Sequence, residues 1–228
     1  MDMGNVLYQV SIWLLPALLA ITLHEAGHAF AAWRLGDDTA KRQGRVTLNP
    51  LKHVDPIGTV LIPGLLLMAK APFLFGYAKP VPVNFMRLNH PRRDMVLVAL
   101  AGPMMNFLLA FLCMLSFHAL DYLPVDWREW VALNLRNGLV LNVVLGFFNL
   151  LPIPPLDGGR VAVGILPNFL AIPLARLERF GFLILIGVII LLPMLFRQFG
   201  SDMDPMRWLM SGPIATVISV IATLAGFD

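Results

Sequence analysis

The chain has few charged residues and almost no cysteine. Only 14% of its 228 residues are charged, whereas 58% are hydrophobic and the mean hydropathy is +0.75. Soluble domains carry about 25% charged residues, so this composition excludes an ordinary soluble protein. The net charge of +3 is small, and the basic residues form no continuous stripe. No nucleic-acid partner is therefore expected.

Cys113 is the single cysteine, which excludes an intrachain disulfide and a disulfide-stabilised scaffold. A basic start is also missing ahead of the first apolar run, although cleavable signal peptides have one. Cleavage after that run would also remove the most chemically active residues of the chain. We therefore expect the first run to stay in the protein as a membrane helix.

Long apolar runs dominate what is present, and about 20 apolar residues suffice to cross a bilayer as a helix. These runs cover about 6–33, 95–120, 131–151, 179–196 and, more weakly, 209–227. A further segment, 57–75, is broken by glycine and proline and either crosses or re-enters the membrane. The sequence predicts an all-α polytopic membrane protein with about five to six transmembrane or re-entrant helices. Alternation over 43–49 predicts a short strand, a small membrane-associated β element.

Loop charges predict how these spans are oriented. Residues 34–55 hold five Lys/Arg, and residues 70–93 hold five Lys/Arg and no acid, whereas 119–132 is acidic. The positive-inside rule puts the two basic loops in the cytoplasm. Both can share that side only if 57–75 re-enters or forms a broken hairpin, and we favour re-entry. Prolines make 79–84 extended.

The first span carries three ionisable residues, His24, Glu25 and His28. Two histidines four apart lie on one face of a helix and can bind one metal ion. Glu25 can reach a water on that metal, as in zinc peptidases. His24 lies ten residues before Arg34, roughly 15 Å inside that end of the helix. Charges at this depth are costly unless they bind something or face a polar cavity.

A hydrolytic zinc site needs a third protein ligand, and Asp157 is the best candidate. It follows the proline-broken end of a span, so we expect its backbone to be free of helix and its carboxylate to turn inward. Gly158 and Gly159 are expected to add backbone freedom beside it. The charge bias places this end on the same side as His24.

Taken together, three motifs resemble the site-2 protease family of intramembrane zinc metalloproteases. They are His24-Glu25-Ala26-Gly27-His28, Gly102-Pro103-Met104-Met105-Asn106, and Asn149 followed by Pro155-Leu156-Asp157-Gly158-Gly159. They keep the family's order and extend from residue 24 to residue 160. The loop residues Asn49-Pro50, His53, Asp55-Pro56 and 79–84 are similar to a compact subgroup without PDZ or CBS domains.

The resemblance implies one Zn²⁺ per chain, bound by His24, His28 and Asp157, with Glu25 as general base. Asn149 would hold substrate or stabilise the oxyanion, although a purely structural role is equally open. For Asn106 a structural role is favoured. We expect His53 at the membrane interface, with a supporting role at the site as the alternative.

The implied function is zinc-dependent hydrolysis of peptide bonds in or near transmembrane segments of membrane proteins. The whole chain, 1–228, would form one integral membrane protease domain, with a catalytic core at about 6–160 and additional helices over 161–228. Its partners would be a transmembrane protein substrate and the lipid bilayer. Its location would be the cell membrane of a prokaryote, with the site opening toward the cytoplasm.

Two other classes of protein remain as alternatives. In a metal transporter, the buried His and Asp residues would line a permeation path. In a non-catalytic scaffold, the fold would only bind membrane partners. The sequence does not define the oligomeric state or the substrate.

Overall fold

Helices form every regular element in the part of the chain that the structure describes. The computed structural model describes residues 3–61, 65, 79–198 and 205–227. Three helices in these residues are long and apolar enough to cross a membrane, over Leu7–Arg34, Pro91–Tyr122 and Val125–Asn149. The chain is therefore a multi-pass α-helical membrane protein.

The first of these helices, α1, spans Met3–Arg34 and is followed by the short α2 at Thr39–Arg42. Helix α3 spans Pro91–Ser116 and continues as a 3₁₀ turn to Tyr122. Helix α4 spans Val125–Asn149, just before the proline-rich turn.

The remaining elements are shorter. Helices α5 and α6 span Asp157–Ile165 and Asn168–Leu177, and a 3₁₀ turn covers Glu178–Phe180. Helices α7 and α8, at Gly181–Ile186 and Leu192–Gln198, are joined by a π-helical turn. Helix α9 spans Pro205–Leu224. Short turns also occupy Pro50–Lys52, Pro56–Leu61 and Phe85–Arg87.

Helices α1, α3 and α4 pack against one another, while α5 packs on α3 and α9 packs on α4 and α3. Small residues allow the close approach that membrane helices need. A Cβ atom at Gly27 would lie 2.7 Å from the Ala101 carbonyl oxygen, and one at Gly146 would lie 2.9 Å from the Phe107 ring. These two glycines therefore permit close helix packing.

Pro16 interrupts the hydrogen-bond ladder of α1, because proline has no N–H to donate to the carbonyl four residues earlier. The amide of Asn137, on α4, donates to that Ile12 carbonyl at 3.0 Å. A neighbouring helix thus supplies the missing donor, as the lipid cannot.

The strand expected over 43–49 does not form. The Arg45 N–H donates to the Ala40 carbonyl at 2.9 Å, and Gly44 has a φ of 64°, so the chain turns. The Arg45 side chain is buried and donates to the Lys79 carbonyl. This inward bond outweighs the polar and apolar alternation of the segment.

The expected five to six spans are not confirmed, since three helices of sufficient length lie within the described residues. Of the segment 57–75, only 57–61 and 65 are described, so the preference for re-entry falls outside the described residues. Residues 181–198 are helical as expected for the fourth span, but they combine α and π turns.

Asp37 fastens the extended segment 79–84 beside the end of α1. Its fully buried carboxylate accepts hydrogen bonds from the Thr39 hydroxyl, the Thr39 N–H and, at 2.6 Å, the Asn84 N–H. Burial raises the pKa of Asp37, but these donors and the Arg87 charge lower it more, so the net shift is below the ordinary 3.8. The folded state therefore favours the ionised carboxylate.

Replacing Asp37 by Asn should lower the thermal stability of the detergent-solubilised protein at pH 7. Hydrogen bonds to a charged group contribute about 1.5–3 kcal/mol. Because the folded-state pKa is lowered, this stabilisation is present above 3.8 and is lost as the pH falls toward the folded-state value. The Tm gap between wild type and Asp37→Asn should therefore narrow in acid.

The neighbouring Asp38→Asn change is the matched control, because Asp38 forms only partly exposed ion pairs with Arg42 and Arg87. Equal Tm values for Asp37→Asn and wild type at pH 7 would contradict the fastening role of Asp37.

Candidate metal centre and active site

Helix α1 places both predicted histidines on one face, four residues apart. Their Nε2 atoms lie 3.0 Å from each other, and both side chains are buried. Asp157 Oδ2 lies 3.1 Å from His24 Nε2 and 3.3 Å from His28 Nε2. The structure therefore brings together the three residues predicted to bind metal.

Hydrogen bonds on the far sides of the rings define the histidine tautomers. His28 Nδ1 lies 2.7 Å from the Val98 carbonyl oxygen, which can only accept, so Nδ1 carries the proton. His24 Nδ1 lies 2.6 Å from Asn106 Oδ1. The Asn106 Nδ2 donates to Ala20 O and Asn142 Oδ1, which identifies the other amide atom as oxygen. Both Nδ1 atoms are thus donors.

A neutral imidazole carries one proton, here on Nδ1, so both Nε2 atoms are unprotonated and present a lone pair. Two nitrogen lone pairs and one carboxylate oxygen therefore converge. None of them can donate to another, and Asp157 Oδ2 is buried without a hydrogen-bond partner. With both rings neutral, the short contacts to Asp157 are not hydrogen bonds, and the arrangement fits a bound cation. Two imidazole nitrogens and one carboxylate oxygen are a donor set typical of catalytic zinc.

Asp157 is placed by a helix, which corrects the expectation of a free backbone. It is the first residue of α5. A Cβ atom at Gly158 would overlap the Leu150 carbonyl oxygen, and one at Gly159 would lie 2.7 Å from the Pro154 nitrogen. The glycines therefore allow α5 to pack tightly on the preceding turn, and the carboxylate is held rigidly.

Gly102 faces the histidines directly. An added Cβ would overlap His28 Nε2 and would lie 2.7 Å from His24 Cε1. The missing side chain of Gly102 therefore leaves space for the metal ligands.

Glu25 lines the cavity beside the histidine pair and is held by a backbone donor. The Val81 N–H donates to Glu25 Oε2 at 2.7 Å. Val81 belongs to the extended segment 79–84, which has no regular hydrogen-bonding pattern of its own. The segment forms no helix, and Asn84 has extended dihedral angles, as predicted. The backbone of the segment orients the candidate base.

His53 also braces this same segment. Its Nε2 lies 3.0 Å from the Thr47 carbonyl, and its own carbonyl accepts from the Lys79 N–H at 3.0 Å. Arg45 Nη2 lies 3.5 Å from His53 Nδ1 and also donates to the Lys79 carbonyl. Burial lowers the pKa of His53, and the Arg45 charge adds to this against opposing effects of Thr47 and Glu25. The neutral ring fits these contacts.

A cavity of about 320 Å³ connects the candidate residues. Its lining includes the three candidate ligands together with Glu25, Asn149, Arg160, Pro80, Val81, Val83 and Phe85. Asn149 reaches this wall, but its amide donates to the Leu145 carbonyl at 3.0 Å in its own helix. The cavity is large enough to receive a stretch of extended peptide beside the metal ligands.

Several contributors were not found from the sequence. Asn142 on α4 is buried and accepts from Asn106, so it fixes the residue that orients His24. The Val98 carbonyl is a backbone atom and has no sequence signal. Asn106, favoured as structural, contacts His24 directly, although it does not reach the cavity. The only sequence signal for Asn106 and Asn142 was the presence of asparagines within apolar helices.

Apolar helices and a buried donor set for zinc define a membrane zinc metalloprotease as the class of this protein. The family model described as Peptidase family M50 matches residues 128–194. YwhC of Bacillus subtilis (strain 168), named as a candidate zinc metalloprotease, is 40% identical over 193 residues, which cover 78% of this chain and 83% of that protein. The chain belongs to peptidase family M50, the site-2 protease family.

Two further relatives agree. Rip2 of Mycolicibacterium smegmatis, also named as a candidate zinc metalloprotease, is 34% identical over 183 residues, covering 80% of this chain and 67% of that protein. MJ0392 of Methanocaldococcus jannaschii, named a zinc metalloprotease, is 23% identical over 214 residues, covering 89% of this chain and 51% of that protein. No solved structure gives a significant match.

Changing Gly102 to Ala should abolish zinc binding, because the new methyl group overlaps the His28 ring. The zinc content of purified protein, measured by atomic emission, should fall from about one per chain to a small fraction. Gly212→Ala is the control, since a Cβ there meets nothing within 4 Å. Full zinc occupancy in Gly102→Ala would contradict this arrangement.

Changing Asn106 to Leu should weaken zinc binding about 10–100-fold, as for other partners that orient metal-bound histidines. The change removes the acceptor for His24 Nδ1 at similar volume. Competition with a zinc chelator measures the affinity. Asn134→Leu is the matched control, because Asn134 is buried on α4 but donates to Trp130 and not toward the site. Equal losses in both variants would mean that the effect is general destabilisation.

Proposed function

We propose that this metalloprotease is an intramembrane endopeptidase that hydrolyses peptide bonds in or near transmembrane segments of membrane proteins. One observation carries the proposal. The candidate metal centre lies on α1, a helix apolar enough to span a membrane, with His24 roughly 15 Å from the helix end. Polar chemistry at that depth suits a substrate that is itself in the membrane.

In this proposal His24, His28 and Asp157 bind one zinc ion. When bound, zinc supplies a water of near-neutral pKa and polarises a peptide carbonyl. The Nδ1 bonds to Asn106 and Val98 hold the two rings so that Nε2 faces the metal. The rigid start of α5 holds the Asp157 carboxylate against the rings.

Glu25 acts as general base. Its carboxylate follows His24 in sequence, lines the same cavity, and is oriented by the Val81 N–H. It takes the proton of the attacking water and passes it to the leaving amine. We assign Asn149 to the substrate carbonyl, where its amide could donate to the developing oxyanion after leaving the Leu145 carbonyl.

A transmembrane substrate must unwind locally, because its peptide bonds are enclosed in its own helical ladder. The extended segment 79–84 forms one wall of the cavity and offers a backbone edge for pairing with the unwound chain. Pro80 and Pro82 lack N–H groups, and the Val81 N–H is engaged by Glu25. Carbonyl oxygens are therefore the main pairing groups of this edge.

We infer that the protein lies in the cell membrane as one domain, 1–228, with a catalytic core at about 6–160. The basic residues of 34–55 and 70–93 favour the cytoplasmic side, which supports a site whose near end opens toward the cytoplasm. The lipid bilayer and a transmembrane protein substrate are the partners.

The transporter alternative is less favoured, because a permeation path needs several metal sites in sequence. Among the described residues, one cluster of three His, Cys, Asp or Glu residues could hold a metal ion. The scaffold alternative does not account for the orientation of Glu25 beside that cluster.

Glu25→Gln should lower the rate of peptide hydrolysis by about 10²–10⁴-fold, because glutamine cannot accept the proton. Zinc content should stay at about one per chain, since Glu25 is not a ligand. The measurement is cleavage of a synthetic single-span peptide in liposomes, a Leu/Ala helix with a central Asn-Gly pair that eases unwinding. Cleavage at the wild-type rate would exclude Glu25 as base.

A further inference from the structure

Arg160 lies on the wall of the catalytic cavity and has no role in the zinc site. It follows Asp157 by three residues on α5, so the two side chains share a helix face. Its Nη2 donates to Glu178 Oε1 at 2.9 Å, and its guanidinium carbon lies 5.6 Å from the centre of the Phe85 ring. Phe85 lines the same cavity, so aromatic and ionic contacts hold the guanidinium at this wall.

The Arg160 Nε is buried and has no hydrogen-bond partner among the described residues. A buried donor without an acceptor is unfavourable and is usually satisfied by water or a ligand. The Glu178 contact satisfies a different nitrogen of the group. The guanidinium is thus tethered by a partly exposed ion pair, while its Nε lacks an acceptor.

An unwound substrate segment presents carbonyl oxygens that have lost their helical N–H partners, and these need donors where water is scarce. The other side-chain donors that line the cavity each have at least one partner within the protein. Both histidines donate through Nδ1 to α3, and Asn149 donates to Leu145. Among the described side chains that line the cavity, Arg160 carries a buried nitrogen with no hydrogen-bond partner.

We propose that Arg160 binds a main-chain carbonyl oxygen of the unwound substrate through Nε, as a substrate-positioning residue. This inference rests on the proposed function. The carbonyl is favoured over an acidic substrate side chain because Glu178 already balances the guanidinium charge. A neutral acceptor suits the remaining donor, and recognition is then independent of the substrate's side chains.

The test measures how tightly the synthetic Leu/Ala single-span peptide with the central Asn-Gly pair binds in liposomes. All variants are made in the Glu25→Gln background, so that binding is measured without cleavage. Arg160→Gln should weaken binding about tenfold to hundredfold, as expected for loss of a charge-assisted hydrogen bond. Arg160→Lys should also weaken it, because lysine can keep the Glu178 ion pair but has no Nε donor at that position. Zinc content should be unchanged in both variants.

Two controls separate substrate contact from a structural role. Arg179→Gln removes a neighbouring guanidinium that stacks on Phe180 and does not line the cavity, so binding should be unchanged. Glu178→Gln should cause a smaller loss than Arg160→Gln, since Glu178 only holds the guanidinium. Equal losses in Glu178→Gln and Arg160→Gln would show a purely structural tether and overturn the proposal.

Full affinity in Arg160→Lys, or no loss in Arg160→Gln, would also overturn it. A second peptide with glutamate next to the Asn-Gly pair tests the choice of acceptor, and the loss in Arg160→Gln should be the same for both peptides. A loss limited to the glutamate peptide would assign Arg160 to side-chain recognition instead.

Cleavage by the wild type tests the proposed function separately. Arg160-dependent binding without cleavage would refute that function alone, whereas cleavage with Arg160-independent binding would refute this inference alone.

Discussion

Three hydrogen-bond acceptors meet at the centre of this protein with no proton between them, and the surrounding structure depends on that conflict. The Nε2 atoms of His24 and His28 and the Asp157 carboxylate lie about 3 Å apart, a distance that is stable only around a cation. Helix α3 directs both rings inward through the Val98 carbonyl and Asn106. It leaves room for them at Gly102, where any side chain would collide.

Outside that centre, polar side chains within the apolar helices also bond from one helix to another. Asn137 completes the ladder that Pro16 interrupts, and Asn142 orients Asn106. Lipid offers no alternative partners, so these contacts hold the helices in one relative position. The precision of the zinc ligands therefore comes from polar bonds between helices, while small residues provide the close packing.

Spacing alone identified His24, Glu25 and His28, because an i, i+4 histidine pair on an apolar helix is costly unless it binds a metal ion or faces a polar cavity. Asp157 could be proposed from the proline-broken turn, but its place at the start of a helix depends on contacts of Gly158 and Gly159 that no local pattern encodes. The strand over 43–49 was wrong because Arg45 bonds to Lys79, a residue far along the chain. The roles of Gly102, Asn142 and Arg160 depend on contacts with residues that are distant in sequence, so the sequence alone does not predict them.

Glu25 is held by a segment that is distant from it in sequence. The Val81 N–H fixes its carboxylate, while Lys79 is tied to His53 and Asn84 to Asp37, so both ends of that segment are anchored outside the helix bundle. Any molecule that pairs with the segment and shifts its backbone also shifts the carboxylate. By thermodynamic reciprocity, the alignment of the carboxylate and the occupancy of the segment must then influence each other equally. The loop thus couples the binding of a peptide to the alignment of the Glu25 carboxylate.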